Sequence, residues 1–81
     1  MIKVLYFARL REELNTGSET MDTVPDLRSL IIDLRARGGR WADVFGDDQL
    51  IMMSVNQEMA DPETSLADGD EVAFFPPVTG G

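Results

Sequence analysis

The chain contains no cysteine and no histidine. The first absence excludes disulfide staples and thiolate nucleophiles. The second excludes a Ser-His or Cys-His triad, and together they remove the usual zinc donor sets. A general base working near neutral pH would have to be a shifted carboxylate or lysine, and Lys3 is the only lysine. Positive charge is scarce throughout: Lys and Arg total 7 against 15 Asp and Glu, a formal charge of −8. Such a surface repels phosphate backbones and anionic membranes, so neither nucleic acid nor a membrane is an expected partner. A protein with a basic docking surface fits that net charge better. No apolar run approaches the ~20 residues needed to span a bilayer. Met1-Ile2-Lys3-Val4 also lacks the apolar core and cleavage site of a signal peptide, so the expected location is the cytoplasm.

Linkers, internal repeats and low-complexity segments are absent, and 81 residues make one small domain. Hydrophobic residues amount to 43%, enough for a core. The run Ile2–Leu10 is rich in β-branched and aromatic residues and reads as a strand. Its Ile2, Val4, Tyr6 and Ala8 face should be inward, because Lys3 and Arg9 share the other face with Leu5 and Phe7. Asn15-Thr16-Gly17 signals a turn, and a short strand over 18–21 follows. Thr23 reads as a helix N-cap with Pro25 in the first turn and Asp26 completing a capping box. Val24, Leu27, Leu30, Ile31 and Leu34 then recur at helical spacing, and Gly38-Gly39 supplies the stop. A short second helix is expected over Arg40–Phe45. Leu50–Val55 reads as a buried strand, and Asn56-Gln57 as the turn of a hairpin reaching Met59. The last strand is Glu71–Phe75, with Val72 and Phe74 inward and Glu71, Ala73 and Phe75 outward. The predicted fold class is α+β: a mixed sheet with one main helix across one face, the β-grasp (ubiquitin-like) arrangement. The expected division is a domain over 1–75 and an extended tail over 76–81.

Three features carry the functional reading. Pro76-Pro77 ends the last strand and holds the chain extended, so the six residues Pro76-Pro77-Val78-Thr79-Gly80-Gly81 reach roughly 20 Å. The tip has no side chain and ends in a carboxylate, a shape suited to a narrow active site on another protein. A carboxylate is a poor electrophile until a partner adenylates it with ATP, and Gly81 is the candidate reacting residue. Leu5, Phe7 and Phe75 on the open sheet face form a second feature, an apolar patch of the kind that marks a partner surface unless a loop or the 40–45 helix covers it. Arg9, Arg11, Glu12 and Glu13 read as a solvated rim, with Arg11 a candidate for partner docking. The acidic turn Asp68-Gly69-Asp70-Glu71 fails as a calcium loop, because Thr64 and Leu66 stand where ligands are required. No metal site is expected, and the five methionines read as gap fillers.

These residues bring the chain close to a known family. Met1-Ile2-Lys3-Val4-Leu5-Tyr6-Phe7-Ala8, Arg11-Glu12, Val55-Asn56-Gln57 and the whole ending from Asp68 to Gly81 resemble the small subunits of molybdopterin synthase, which are ubiquitin-like sulfur carriers. The resemblance implies that an ATP-dependent activating enzyme adenylates the Gly81 carboxylate and that a sulfur donor displaces AMP to leave a thiocarboxylate. It implies a heterotetramer with the large synthase subunit, into which the tail carries sulfur for cyclic pyranopterin monophosphate. Phe7, Met59 and Phe75 match the family's hydrophobic contact. Leucine is common at the Met59 position, and methionine is a volume-conserving exchange. On this reading the carrier binds no cofactor of its own and the catalytic side chains belong to its partners. The alternatives are the carrier for thiazole synthesis, a protein-conjugating modifier, and an interaction module whose tail does no chemistry.

Overall fold

Alternation along the first and last strands builds the centre of the sheet. In the computed structural model, which describes residues 1–77, strand β1 (Ile2–Tyr6) buries Ile2, Val4 and Tyr6 and leaves Lys3 and Leu5 on its other side. Helix α1 (Ala8–Leu14) and strand β2 (Ser18–Met21) follow, then helices α2 (Leu27–Arg35) and α3 (Gly39–Val44). Strands β3 (Met52–Val55), β4 (Glu58–Met59) and β5 (Glu71–Phe75) complete the chain. The five strands lie in the order β2-β1-β5-β3-β4. β1 and β5 run parallel at the centre, and the other neighbours are antiparallel.

The apolar stripe of α2 lies over one face of this sheet. Leu27, Leu30 and Leu34 are fully buried with Val4, Tyr6, Val72 and Phe74, and each such leucine is worth about 1.5–3 kcal/mol of burial. The expected α3 also belongs to this side. Its Trp41 meets Tyr6 edge-on at 5.4 Å, and Phe45, which caps it, meets Phe74 edge-on at 5.1 Å. The sheet thus has one covered face.

Four expectations need correction. The first strand does not run to Leu10. It stops at Tyr6, and residues 8–14 form α1, built from good helix formers with Leu10 and Leu14 buried one turn apart. Ala8, at φ 53, turns the corner, and Asn15, at φ 51, caps the helix end. Ala8 and Arg9 therefore lie on no strand face. Secondly, Thr23 is not the N-cap of α2. Asp26 is, its carboxylate accepting from the Ser29 N–H at 2.8 Å. The proline at 25 disfavours helical backbone at Val24, so the helix starts later and Thr23 instead donates to Asp68. Thirdly, α2 ends at Arg35 with Ala36 as its cap, and Gly38-Gly39, at φ 76 and 54, open α3. Fourthly, Leu50 is not part of a buried strand: it is 69% exposed, and β3 begins two residues later. The hairpin at Asn56-Gln57 is present, with both residues at positive φ as a tight two-residue turn requires.

Candidate functional site

The register of the open face can be read strand by strand. Leu5 pairs with Ser18 on one side and Ala73 on the other, and Ala73 pairs with Ser54, which pairs with Met59. These residues form one row across the sheet. Phe7 is extended, at φ −115 and ψ 155, so the alternation of β1 continues through it onto the same side. Its N–H donates to the Phe74 carbonyl at 3.1 Å, which sets Phe7 beside Phe75, and Phe75 pairs with Met52. Phe7, Phe75 and Met52 are the second row, at the end of the sheet where the chain continues into Pro76 and Pro77.

Phe7 is 47% exposed and Met59 61% exposed, while Leu5 and Phe75 are half-buried by their neighbours. Helix α3 is not the cover for this face: it packs against α1 and α2, and its rings point at the core residues Tyr6 and Phe74. The structure thus brings together Leu5, Phe7, Met59 and Phe75. Ala73, read as outward from the sequence, lies among them, and the structure adds Met52 and Ser54, which sequence reading missed because the run over 50–55 looks almost uniformly apolar. The alternating signal was there in the pairing of Met53 and Val55 with the inward Phe74 and Val72. Pro76 and Pro77 follow directly and are half-buried. The expected tip residues Val78, Thr79, Gly80 and Gly81 lie outside the described residues.

Several polar groups of the sheet and its connections are engaged in structure. Lys3 stands across from Thr20 and Glu71 at the far end of the open face. Arg11 is exposed on α1, at the β1–β2 rim. Asn56 ties the hairpin to the final turn, donating to Asp70 at 3.0 Å and accepting from the Glu71 N–H at 3.0 Å. The Ala67 N–H, then Asn56, hold the Asp70 carboxyl below the usual carboxylate range. The Met1 ammonium, then Thr23, do the same for Asp68. On the helix side the Tyr6 hydroxyl donates to Glu19 at 2.8 Å, and Arg37 grips Glu19 with two bonds of 2.9 and 2.7 Å. Burial, then the Glu19 bond, push the Tyr6 hydroxyl well above its ordinary range. The Arg37 bonds pull Glu19 down. Among the described residues no group of three or more Asp or Glu is placed to hold a metal ion, and no helix is long and apolar enough to cross a membrane. The arrangement is suited to binding a surface.

A mixed five-stranded sheet with its first and last strands parallel at the centre, covered on one face by a main helix, defines a ubiquitin-like β-grasp protein. Within that class, residues 4–81 match the ThiS family, and the chain belongs to it. It is 45% identical to the molybdopterin synthase sulfur carrier subunit of Escherichia coli K12, over 100% of both chains. Among solved structures it is similar to SAMP1 from Haloferax volcanii, with a TM-score of 0.75, 30% identity and coverage of 99% of this chain and 98% of that one. The fold is also that of a chain in the complex of subunits 1 and 2 of the molybdopterin-converting factor from Helicobacter pylori, with a TM-score of 0.72 at 23% identity, covering 99% of this chain and 97% of that one.

Proposed function

We propose that this chain serves as the sulfur carrier subunit of molybdopterin synthase. What supports the reading above all is its end-to-end 45% identity with the Escherichia coli subunit of that name. In the first step an ATP-dependent activating enzyme joins the Gly81 carboxylate to AMP and releases pyrophosphate. Hydrosulfide from a sulfur donor attacks the acyl carbon, the acyl C–O bond breaks as AMP leaves, the S–H proton is lost to solvent, and a thiocarboxylate remains. The apolar face then docks the loaded carrier on the large subunit, and the tail from Pro76 to Gly81 delivers sulfur to cyclic pyranopterin monophosphate.

The chain's own contribution to this chemistry is placement. Phe7, Phe75 and Met59 provide apolar area that is favourable to bury at about 25 cal/mol per Å2. The rings of Pro76 and Pro77 fix φ where the tail begins, so less backbone entropy is lost there when it threads a narrow channel. Gly80 and Gly81 let the end pass without steric hindrance. Acid–base groups for the transfer come from the partners. This explains how a chain without cysteine carries sulfur: the sulfur rides on the terminal carbonyl carbon.

Intact mass after incubation with the activating enzyme, ATP and a sulfur source tests the reading. The expected result is a gain matching one oxygen replaced by sulfur, located at Gly81 by fragmentation. An unchanged mass, with an activating enzyme that loads another carrier, would remove the reading and leave an interaction module. Conversion of the pterin by the loaded carrier separates this function from thiazole synthesis.

A further inference from the structure

Among the described residues Ser54 is the only buried polar side chain, at 8% exposed. The strand register puts it on the open face. It pairs with Ala73 and Met59, while its neighbours Met53 and Val55 pair with the inward Phe74 and Val72. Its hydroxyl has no hydrogen-bond partner among the described residues. Asn56, two residues on, spends its amide on Asp70 and the Glu71 N–H. Yet no side-chain nitrogen or oxygen sealed from solvent lacks a partner among these residues. The unbonded Ser54 hydroxyl therefore opens outward, onto the face.

Around this hydroxyl the face is low at its centre and high at its edges. Ala73 and Ser54 are small and lie side by side on β5 and β3, with Leu5 beyond them on β1 and Met59 on β4. Three strand spacings place Leu5 and Met59 roughly 14 Å apart. Phe75 and Met52, two residues along the same strands, wall the hollow toward the tail, and Glu71 borders it at the other end. The space matches one ring-shaped side chain. Walls of leucine, phenylalanine and two methionines suit an aromatic ring, because methionine sulfur makes favourable contacts at ring edges. The hydroxyl at the floor sets a second condition. Covering it without replacing its bond to water penalises docking, so the entering ring must carry a hydrogen-bonding atom.

We infer that Ser54 is a specificity-determining residue of the docking face: with Ala73 it floors a hollow that takes one polar-tipped aromatic side chain of the large synthase subunit, a tyrosine or tryptophan, and its hydroxyl bonds the polar tip. The inference rests on the function proposed above. Such rings are the side chains that interfaces favour as central anchors.

The test is calorimetric titration of the full chain into the large subunit, with the wild type, Ser54→Ala, Ala73→Leu and Phe75→Arg. Ser54→Ala should melt with the wild type, because the hydroxyl has no partner in the free chain, and should bind about three- to tenfold more weakly, the worth of one hydrogen bond. Ala73→Leu fills the hollow from an outward, half-buried position and should bind about tenfold or more weakly. Ser54→Ala that binds as well as the wild type, or more tightly, overturns the inference, since a hydroxyl covered without a partner is better removed. Wild-type affinity for Ala73→Leu overturns it too. A measurement on the unaltered chain stands beside the variants. With alanine methyls labelled, the Ala73 methyl resonance should move upfield on docking, under the ring current of the entering side chain, and an unmoved resonance overturns the inference. Phe75→Arg separates the two levels of the argument. If it binds normally, the docking face itself is wrong and the hollow falls with it; if it alone loses binding, the face stands and only the role of Ser54 falls.

Discussion

The Phe7 N–H donates to the Phe74 carbonyl at 3.1 Å. This bond joins the corner where β1 becomes α1 to the strand that runs into the tail. One residue on, Phe75 shares the open face with Phe7, while Phe74 is fully buried between Phe45 and Tyr6. Adjacent phenylalanines therefore have opposite duties, and substitution separates them. Phe75→Arg should leave a cooperative melt within a few degrees of the wild type and abolish detectable binding to the large subunit. Phe74→Arg should unfold the domain, because an unpaired charge in the core costs about 4 kcal/mol or more, a large share of a small domain's stability. Circular dichroism melts check both, and a folded Phe74→Arg variant would mean that the faces are reversed.

Ala8 opens α1 at φ 53. A left-handed non-glycine residue is strained by about 1–2 kcal/mol. The usual loss of about 1 kcal/mol for Ala→Gly in a helix should therefore vanish here. Ala8→Gly is expected to melt at or above the wild-type temperature, and Ala8→Val, β-branched in the same conformation, clearly below it. A loss of about 1 kcal/mol in Ala8→Gly would show ordinary helix behaviour at this position.

Glu19 is held below the ordinary glutamate range by its bonds to Arg37, then by the Tyr6 hydroxyl, against a raising effect of partial burial. A depressed folded-state pKa means that the contribution is complete above the ordinary range and disappears as pH falls through the lowered value. Water still reaches Arg37 and Glu19, which are 34% and 23% exposed, so screening limits the contribution to about 0.5–1 kcal/mol. Urea titrations of wild type and Glu19→Gln should differ by that amount at pH 7 and converge in acid. A gap that is constant with pH would assign the effect to packing.

Asn56 combines a left-handed backbone, at φ 50, with two side-chain bonds to the Asp70–Glu71 turn. Asn56→Gly keeps the turn conformation and loses the bonds, so it should cost about 1 kcal/mol. Asn56→Ala should cost more, because it adds left-handed strain. Equal stability of the two variants would mean that the backbone conformation contributes nothing.

Much of this was legible because periodicity reports burial directly. The alternation in Glu71–Phe75 gave both faces of β5, and the spacing of Leu27, Leu30 and Leu34 gave the covering helix. Asn56-Gln57 gave the hairpin through its turn chemistry. The misses have local causes. No glycine, proline or other turn residue separates the apolar run of β1 from residues 8–14, and the strand-to-helix change depends on a single left-handed alanine that nothing in the sequence marks. Thr23 and Asp26 are both good caps, and the choice is made by Pro25 acting on Val24. Of the candidate site, Leu5, Phe7 and Phe75 were readable from strand faces and Met59 only from the family resemblance, whereas Met52 and Ser54 needed the register of β3.

The most direct test of the central claim is the stoichiometry of sulfur transfer. Thiocarboxylated carrier is mixed with the large subunit and limiting cyclic pyranopterin monophosphate, and both carboxylate regeneration at Gly81 and dithiolene formation are counted. The account expects two carriers discharged for each pterin converted, and none with a chain lacking Gly81 that still folds. A loaded carrier that stays charged beside a large subunit active with another carrier would contradict it.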